Sequence, residues 1–174
     1  SLIGYLTRSN QGRPHVTLKL ALSQDGYLAP LLGEGQWLTG EFARAHVHAQ
    51  RARMDAIVVG RGTLEADRPR LDVRLAGIEQ RSPQRFLLTH GDAPAGWSSL
   101  GSPQAISAIE GAQYLMVEGG AGAANAFLDS GLVDRLLLYR APRMVGGDGP
   151  ALPQLTETAL ARSPRWRLID TRQL

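Results

Sequence analysis

Two short runs of apolar residues, each broken off at glycine, constrain this chain most. Ala56-Ile57-Val58-Val59 stops at Gly60, and Tyr114 to Val117 gives way to Glu118-Gly119-Gly120. A strand with one solvated face alternates apolar and polar residues. These runs do not alternate, so each reads as a strand buried on both faces, which needs a layer above and below it. His15 to Ser23, Phe86-Leu87-Leu88, Arg135 to Tyr139 and a last segment near Trp166 to Ile169 read as further strands, and Asp25-Gly26 is a turn signal. Helical stretches alternate with them. Thr39 can cap a helix running to about Arg53, with Phe42, Ala45, Ala49 and Ala52 as its apolar face and Glu41, Arg44, His48 and Arg51 as its polar stripe. Ala123 to Ser130 reads as a helix stopped at Gly131, and the Pro/Gly/Ser-rich stretch from Asp92 to Pro103 as mostly loop.

This alternation predicts a three-layer α/β/α sandwich around a mostly parallel sheet. With 174 residues, 43% of them hydrophobic, the chain suffices for one such core and is short for two. Ser1 to Pro14, polar and carrying Gly4, Gly12 and Pro14, reads as a linker or arm, which leaves 15–174 as the domain.

Composition removes several classes of function. The chain has no cysteine, so disulfides, thiolate chemistry and cysteine zinc sites are out. Of its four histidines, His46 and His48 stand two apart, a spacing that cannot face one ion from a helix, and no metal is expected. No apolar run nears the roughly 20 residues of a membrane span, and the first residues lack a basic-then-apolar leader; a cytoplasmic protein with no membrane partner is expected. The net charge of +3 suits either a polyanion or a small anionic ligand. The arginines, among them Arg8, Arg13, Arg44, Arg70, Arg85, Arg135 and Arg165, are dispersed without interleaved aromatics, so no nucleic acid is expected. Lys19 is the single lysine, inside the apolar pattern Val16 to Leu22. It is either a point charge for phosphate or hydroxyl, or an edge-strand lysine reaching water.

Ligands of such sheets bind beyond the carboxyl ends of the strands, where both glycine loops fall. Val117 to Gly122 precedes a helix, whose free amides and dipole favour an anion. Gly120, Gly122 and Asn125 look like a dinucleotide fingerprint lacking its third glycine, or like a plain strand-to-helix turn. Too few residues follow for the two halves of a Rossmann fold. Gly60-Arg61-Gly62-Thr63 offers an arginine fork and a hydroxyl to phosphate oxygens, as the extra phosphate of NADPH would require, or is a tight turn with a surface arginine.

Taken together, Ile57 to Thr63, Gly119-Gly120 and Asp25-Gly26 resemble the dihydrofolate reductase superfamily. Within it the chain is similar to the reductase half of the bifunctional riboflavin-biosynthesis deaminase-reductases. Leu18 to Gly26, Gln36 to Thr39, Asp55 to Thr63, Asp67 with Pro69, Leu71 and Arg74, Val117 to Gly120, and Ala141-Pro142 before Gly146-Gly147 follow that pattern in order.

The resemblance implies a dihydrofolate reductase-like fold and NADPH held by Ala21, Trp37, Arg61, Thr63, Asp67, His90 and the turn Gly120, Ala121, Gly122, Ala123, Ala124 and Asn125. It implies a phosphorylated pyrimidine substrate held by Lys19, Gly35, Arg51, Leu71, Arg74 and Glu118. Arg51 and Arg74 would clamp the ribose phosphate, Glu118 would accept from the pyrimidine amines, and Lys19 and Asp67 would give electrostatic or proton-transfer help. The implied reaction is reduction of 5-amino-6-(5-phosphoribosylamino)uracil to its ribitylamino product. The diamino-pyrimidinone phosphate or another pterin or pyrimidine is an alternative substrate, and a non-catalytic nucleotide-binding module is an alternative of another class. A homodimer and a covalently linked deaminase domain in a longer parent chain are further implied.

Overall fold

The computed structural model describes residues 2–28, 40–142, 144, 150, 152 and 155–174. Six strands, β1 (His15–Leu22), β2 (Ala56–Gly60), β3 (Gln84–Leu88), β4 (Ser98–Leu100), β5 (Tyr114–Glu118) and β6 (Arg135–Arg140), form one sheet in the order β4-β3-β2-β5-β1-β6. Every ladder among them is parallel. The helices are α1 (Ile3–Gln11), α2 (Glu41–Arg51), α3 (Arg61–Asp67), α4 (Ala121–Asp129) and α5 (Glu157–Arg162). No helix of the described residues is long and apolar enough to cross a membrane.

The continuous apolar runs become β2 and β5, where Ala56 to Val59 and Leu115 to Val117 are fully buried. Side chains of a strand alternate between faces, so each run feeds two layers. Val16, Leu18, Leu20, Val58 and Val117 join Ala123, Ala124 and Phe127 of α4 in the larger core. Ile57, Val59 and Met116 pack on the opposite face with Met54, Leu71 and Leu87, where Leu64 of α3 meets them. Ala43 and Val47 of α2 cover Tyr139 of β6. Lys19 is no edge residue, because β1 lies between β5 and β6.

The structure corrects four expectations. Residues 3–11 form a packed helix instead of an arm: the Gly4 N–H donates to Tyr114 Oη at 3.0 Å and Thr7 is buried. Just beyond, the Arg13 fork grips Asp134 at 2.6 and 2.9 Å. The buried face of α2 is Ala43, Val47 and Gln50, whereas Phe42 is 77% exposed, because a buried glutamine hides the true periodicity. Ser98–Leu100, expected within a loop, adds the short strand β4. Residues 164–174 form no strand, with Leu168 and Ile169 exposed; only Trp166 packs against the core. The expected cap Thr39 lies outside the described residues, and Gly40 occupies the N-cap position of α2.

Candidate active site at the ends of β2 and β5

Neighbouring strands β2 and β5 send the chain opposite ways. From β2 it passes through α3 to β3; from β5 it passes through α4 to β6, on the far side of β1. Because α3 and α4 pack on opposite faces of the sheet, their loops part at the strand ends, and the crevice between them is where ligands bind in such sheets.

A side chain crosses that crevice. Thr63 Oγ1, in the first turn of α3, accepts the N–H of Gly120 at 2.9 Å. The glycines make the approach possible: a Cβ at Gly119 would lie 3.4 Å from Thr63 Oγ1 and 3.6 Å from the Gly60 nitrogen. One at Gly60 would meet the Ala123 Cβ at 3.4 Å. The two glycine loops thus share one cleft. Ala121 and Gly122 open α4, so their N–H groups have no acceptor within the helix, as an anion would need. The residues fit a phosphate-bearing group there. Arg61 turns toward the end of β3, with Nη2 donating to Thr89 Oγ1 at 2.7 Å and Nη1 3.8 Å from Glu65. His90 stands exposed just after Thr89.

Along the same strand ends lies a buried charge cluster. Lys19 and Glu118 are register partners on β1 and β5, so they share a face. Arg51 closes on Glu118 from the end of α2, with Nε to Oε1 at 2.7 Å and Nη2 to Oε2 at 2.9 Å, while Nη1 donates to the Asp72 carbonyl at 3.2 Å. Lys19 Nζ lies 3.9 Å from Glu118 Oε2 and 5.6 Å from the centre of the Tyr139 ring. Burial works against the charge on Glu118, yet Lys19 and Arg51 more than offset it and hold the carboxyl below its ordinary value. Burial likewise opposes the Arg51 charge, and Glu118 reverses the balance, so the guanidinium holds its proton more firmly.

This geometry revises the phosphate clamp. Arg51 has its fork filled by Glu118, while Arg74 is half exposed with Nε 3.4 Å from Asp72 Oδ1; the two arginines meet at Asp72, whose carbonyl accepts from Arg51 Nη1. Glu118, expected to receive amines of a ligand, has both oxygens engaged by Arg51. Leu71 is buried in the left-handed region at φ 53, an uncommon backbone for a leucine, just before the Asp72 carbonyl that accepts from Arg51. Asp67 ends α3 at the surface, and partial desolvation raises its carboxyl above the ordinary value. Ala21 pairs in register with Tyr139, and Ala123 and Ala124 are buried beneath the Gly120 turn, with Asn125 following them in α4. Trp37 and Gly35 lie outside the described residues.

With this geometry established, known proteins decide the family. The model of the RibD C-terminal domain matches residues 14–96 and 106–174. The chain belongs to the RibD C-terminal domain family. It is 41% identical over 162 residues to the riboflavin biosynthesis protein RibD of Corynebacterium ammoniagenes, covering 84% of this chain and 48% of that protein. RibD of Acinetobacter baumannii superposes with a TM-score of 0.81 at 28% identity, over 99% of this chain and 58% of that one. A diaminohydroxyphosphoribosylaminopyrimidine deaminase/5-amino-6-(5-phosphoribosylamino)uracil reductase from Thermotoga maritima shares the fold, with a TM-score of 0.77 at 22% identity over 96% and 55% of the two chains. This RibD C-terminal domain spans about half the length of the curated relatives it matches.

Three features of this RibD-family site had no signal in the sequence. The Arg51–Glu118 pair joins residues 67 positions apart. Thr89 is the hydroxyl that holds Arg61. Tyr139, flanking Lys19, reads in the sequence as one more residue of an apolar strand.

Proposed function

We propose that this chain reduces the ribosyl group of 5-amino-6-(5-phosphoribosylamino)uracil to the ribitylamino product, with NADPH as hydride donor. The observation that carries the reading is the Thr63–Gly120 hydrogen bond, which draws two glycine loops into one cleft at the switch between β2 and β5. Membership of the RibD C-terminal domain family supplies the reaction class.

NADPH supplies the hydride, and the chain supplies position and charge. The α4 amides of Ala121 and Gly122 bind the dinucleotide phosphates, and Arg61, turned toward Thr89 and His90, takes the additional phosphate at the adenosine end. Asp67, its carboxyl raised, is suited to hold a proton or to accept from a carboxamide. Lys19, with an ammonium Glu118 does not close on, donates to an oxygen of the opened sugar as charge develops there. Arg74, at the surface beside Asp72, is the guanidinium available for the ribose phosphate, and Arg51 acts by fixing Glu118. The family resemblance makes Trp37 a cofactor contact and Gly35 a substrate contact. The active species is a homodimer, and in a longer parent chain a deaminase domain is attached.

The test is titration with NADPH and NADH by fluorescence, followed by turnover assays on the uracil and the diamino-pyrimidinone substrates. The reading expects at least about tenfold preference for NADPH, lost in the Thr63→Ala, Gly120→Val double variant, and turnover of the uracil form. Binding of NADPH without oxidation on either substrate would identify a nucleotide-binding module instead, and preference for the diamino form would move the substrate. Light scattering in solution checks the dimer.

A further inference from the structure

The charge cluster contains a residue with no part in the reading above. Tyr139 is 6% exposed, on the face of β6 that also carries Leu137, the register partner of Lys19. Its ring presents a face to Lys19 Nζ at 5.6 Å, within the range over which a ring attracts a cation. Its hydroxyl meets His46 Nδ1 of α2 at 2.8 Å, the two rings packing edge to face at 5.9 Å. One helical turn on, Gln50 Nε2 meets His46 Nε2 at 3.2 Å, and Gln50 is itself buried. A line of contacts therefore runs from α2 through His46 to the tyrosine ring and ends at the lysine.

The alternative anchor for Lys19 is Glu118, but that carboxylate is closed bidentately by Arg51, and the 3.9 Å separation from Lys19 exceeds hydrogen-bonding reach. An ammonium held by a carboxylate gives up N–H donors to it; one held over a ring keeps them. We infer that Tyr139 is a positioning residue for Lys19: its ring, fixed by His46, sets the place of the ammonium while leaving its N–H groups free for substrate. The importance of that place rests on the function proposed above; the contact itself does not.

Lys19 is the only lysine, so lysine labelled with carbon-13 at Cε gives a single side-chain signal in the intact chain. With Tyr139 present its protons feel the ring. Tyr139→Leu is expected to shift that signal by removing the ring's influence, and Tyr139→Phe to leave it close to the parent. In turnover, Tyr139→Leu is expected to lower kcat/KM for the pyrimidine about tenfold with NADPH affinity unchanged, Tyr139→Phe to restore most of the loss, and the effect to vanish in a Lys19→Met background. A signal that does not move in Tyr139→Leu overturns the inference. So does a loss in Tyr139→Phe as large as in Tyr139→Leu, or the same loss with Lys19 already replaced. If the unaltered chain turns over neither pyrimidine, the proposed function fails while the labelled signal still decides whether Tyr139 holds Lys19.

Discussion

Replacing Arg51 by methionine tests the buried charge cluster most directly. The parent side chains of Arg51 and Glu118 are 11% and 9% exposed, so the change strands a carboxylate in a site water barely reaches. It removes two charge-assisted hydrogen bonds to Glu118 and one to the Asp72 carbonyl. Removing one partner of a buried pair costs about 3–5 kcal/mol, and the lysine left at 3.9 Å puts this case at the lower end, about 3 kcal/mol. For a domain of this size the melting temperature should fall by about 6–12 °C. The loss must also depend on pH. In the parent, the folded-state carboxyl of Glu118 titrates below its ordinary value, so its stabilisation is present above the unfolded value of 4.5 and is lost as pH falls through the folded one. Without Arg51, burial raises the folded value, and protonation then relieves the stranded charge. Urea unfolding should show the full deficit near neutral pH and a smaller one at about pH 4.5. A deficit below about 1 kcal/mol, equal at both pH values, would refute the reasoning.

Two further outcomes are expected. Gly4→Ala sets a methyl group 2.6 Å from Tyr114 Cε2 and 2.8 Å from Cε1, so it should destabilise the domain by about 1–3 kcal/mol in the same urea titration, and a neutral result would mean that α1 does not pack as described. His15, His46 and His48 are all held below the ordinary value of 6.5, in each case first by burial. The unfolded chain therefore takes up protons that the folded one refuses as pH drops through that value, and melting temperature should decline from about pH 7 to pH 5.5; a flat profile there would contradict the burial of these rings.

The sheet was readable wherever one residue type dominated a run. Ala56 to Val59 and Tyr114 to Val117 announce strands because no other element buries four successive side chains so cheaply, and the glycines beyond them mark where backbones must approach. Elsewhere the signal was carried by exceptions. Gly4 looked like a break and is instead the contact point for Tyr114. Gln50 faces inward because it serves His46, which shifted the reading of α2 and put Phe42 on the wrong side. Trp166 to Ile169 has the composition of a strand but no neighbour to pair with among the described residues. Of the site, the two loops could be read from the chain, since each is local. The filling of the Arg51 fork by Glu118 could not, because a pair so distant in sequence leaves no periodic trace.

The strand order carries a consequence for how the molecule is made. β5 threads between β1 and β2, pairing Leu18 with Val117 on one side and Ala56 with Leu115 on the other. During synthesis the two flanking strands emerge long before the one that bridges them, and neither can close the middle of the sheet alone. Assembly of this kind depends on contacts between remote parts of the chain and is slow compared with locally built folds. Gly119 and Gly120 leave the ribosome immediately behind that bridging strand, so the crevice between the two glycine loops cannot form before the middle of the sheet does.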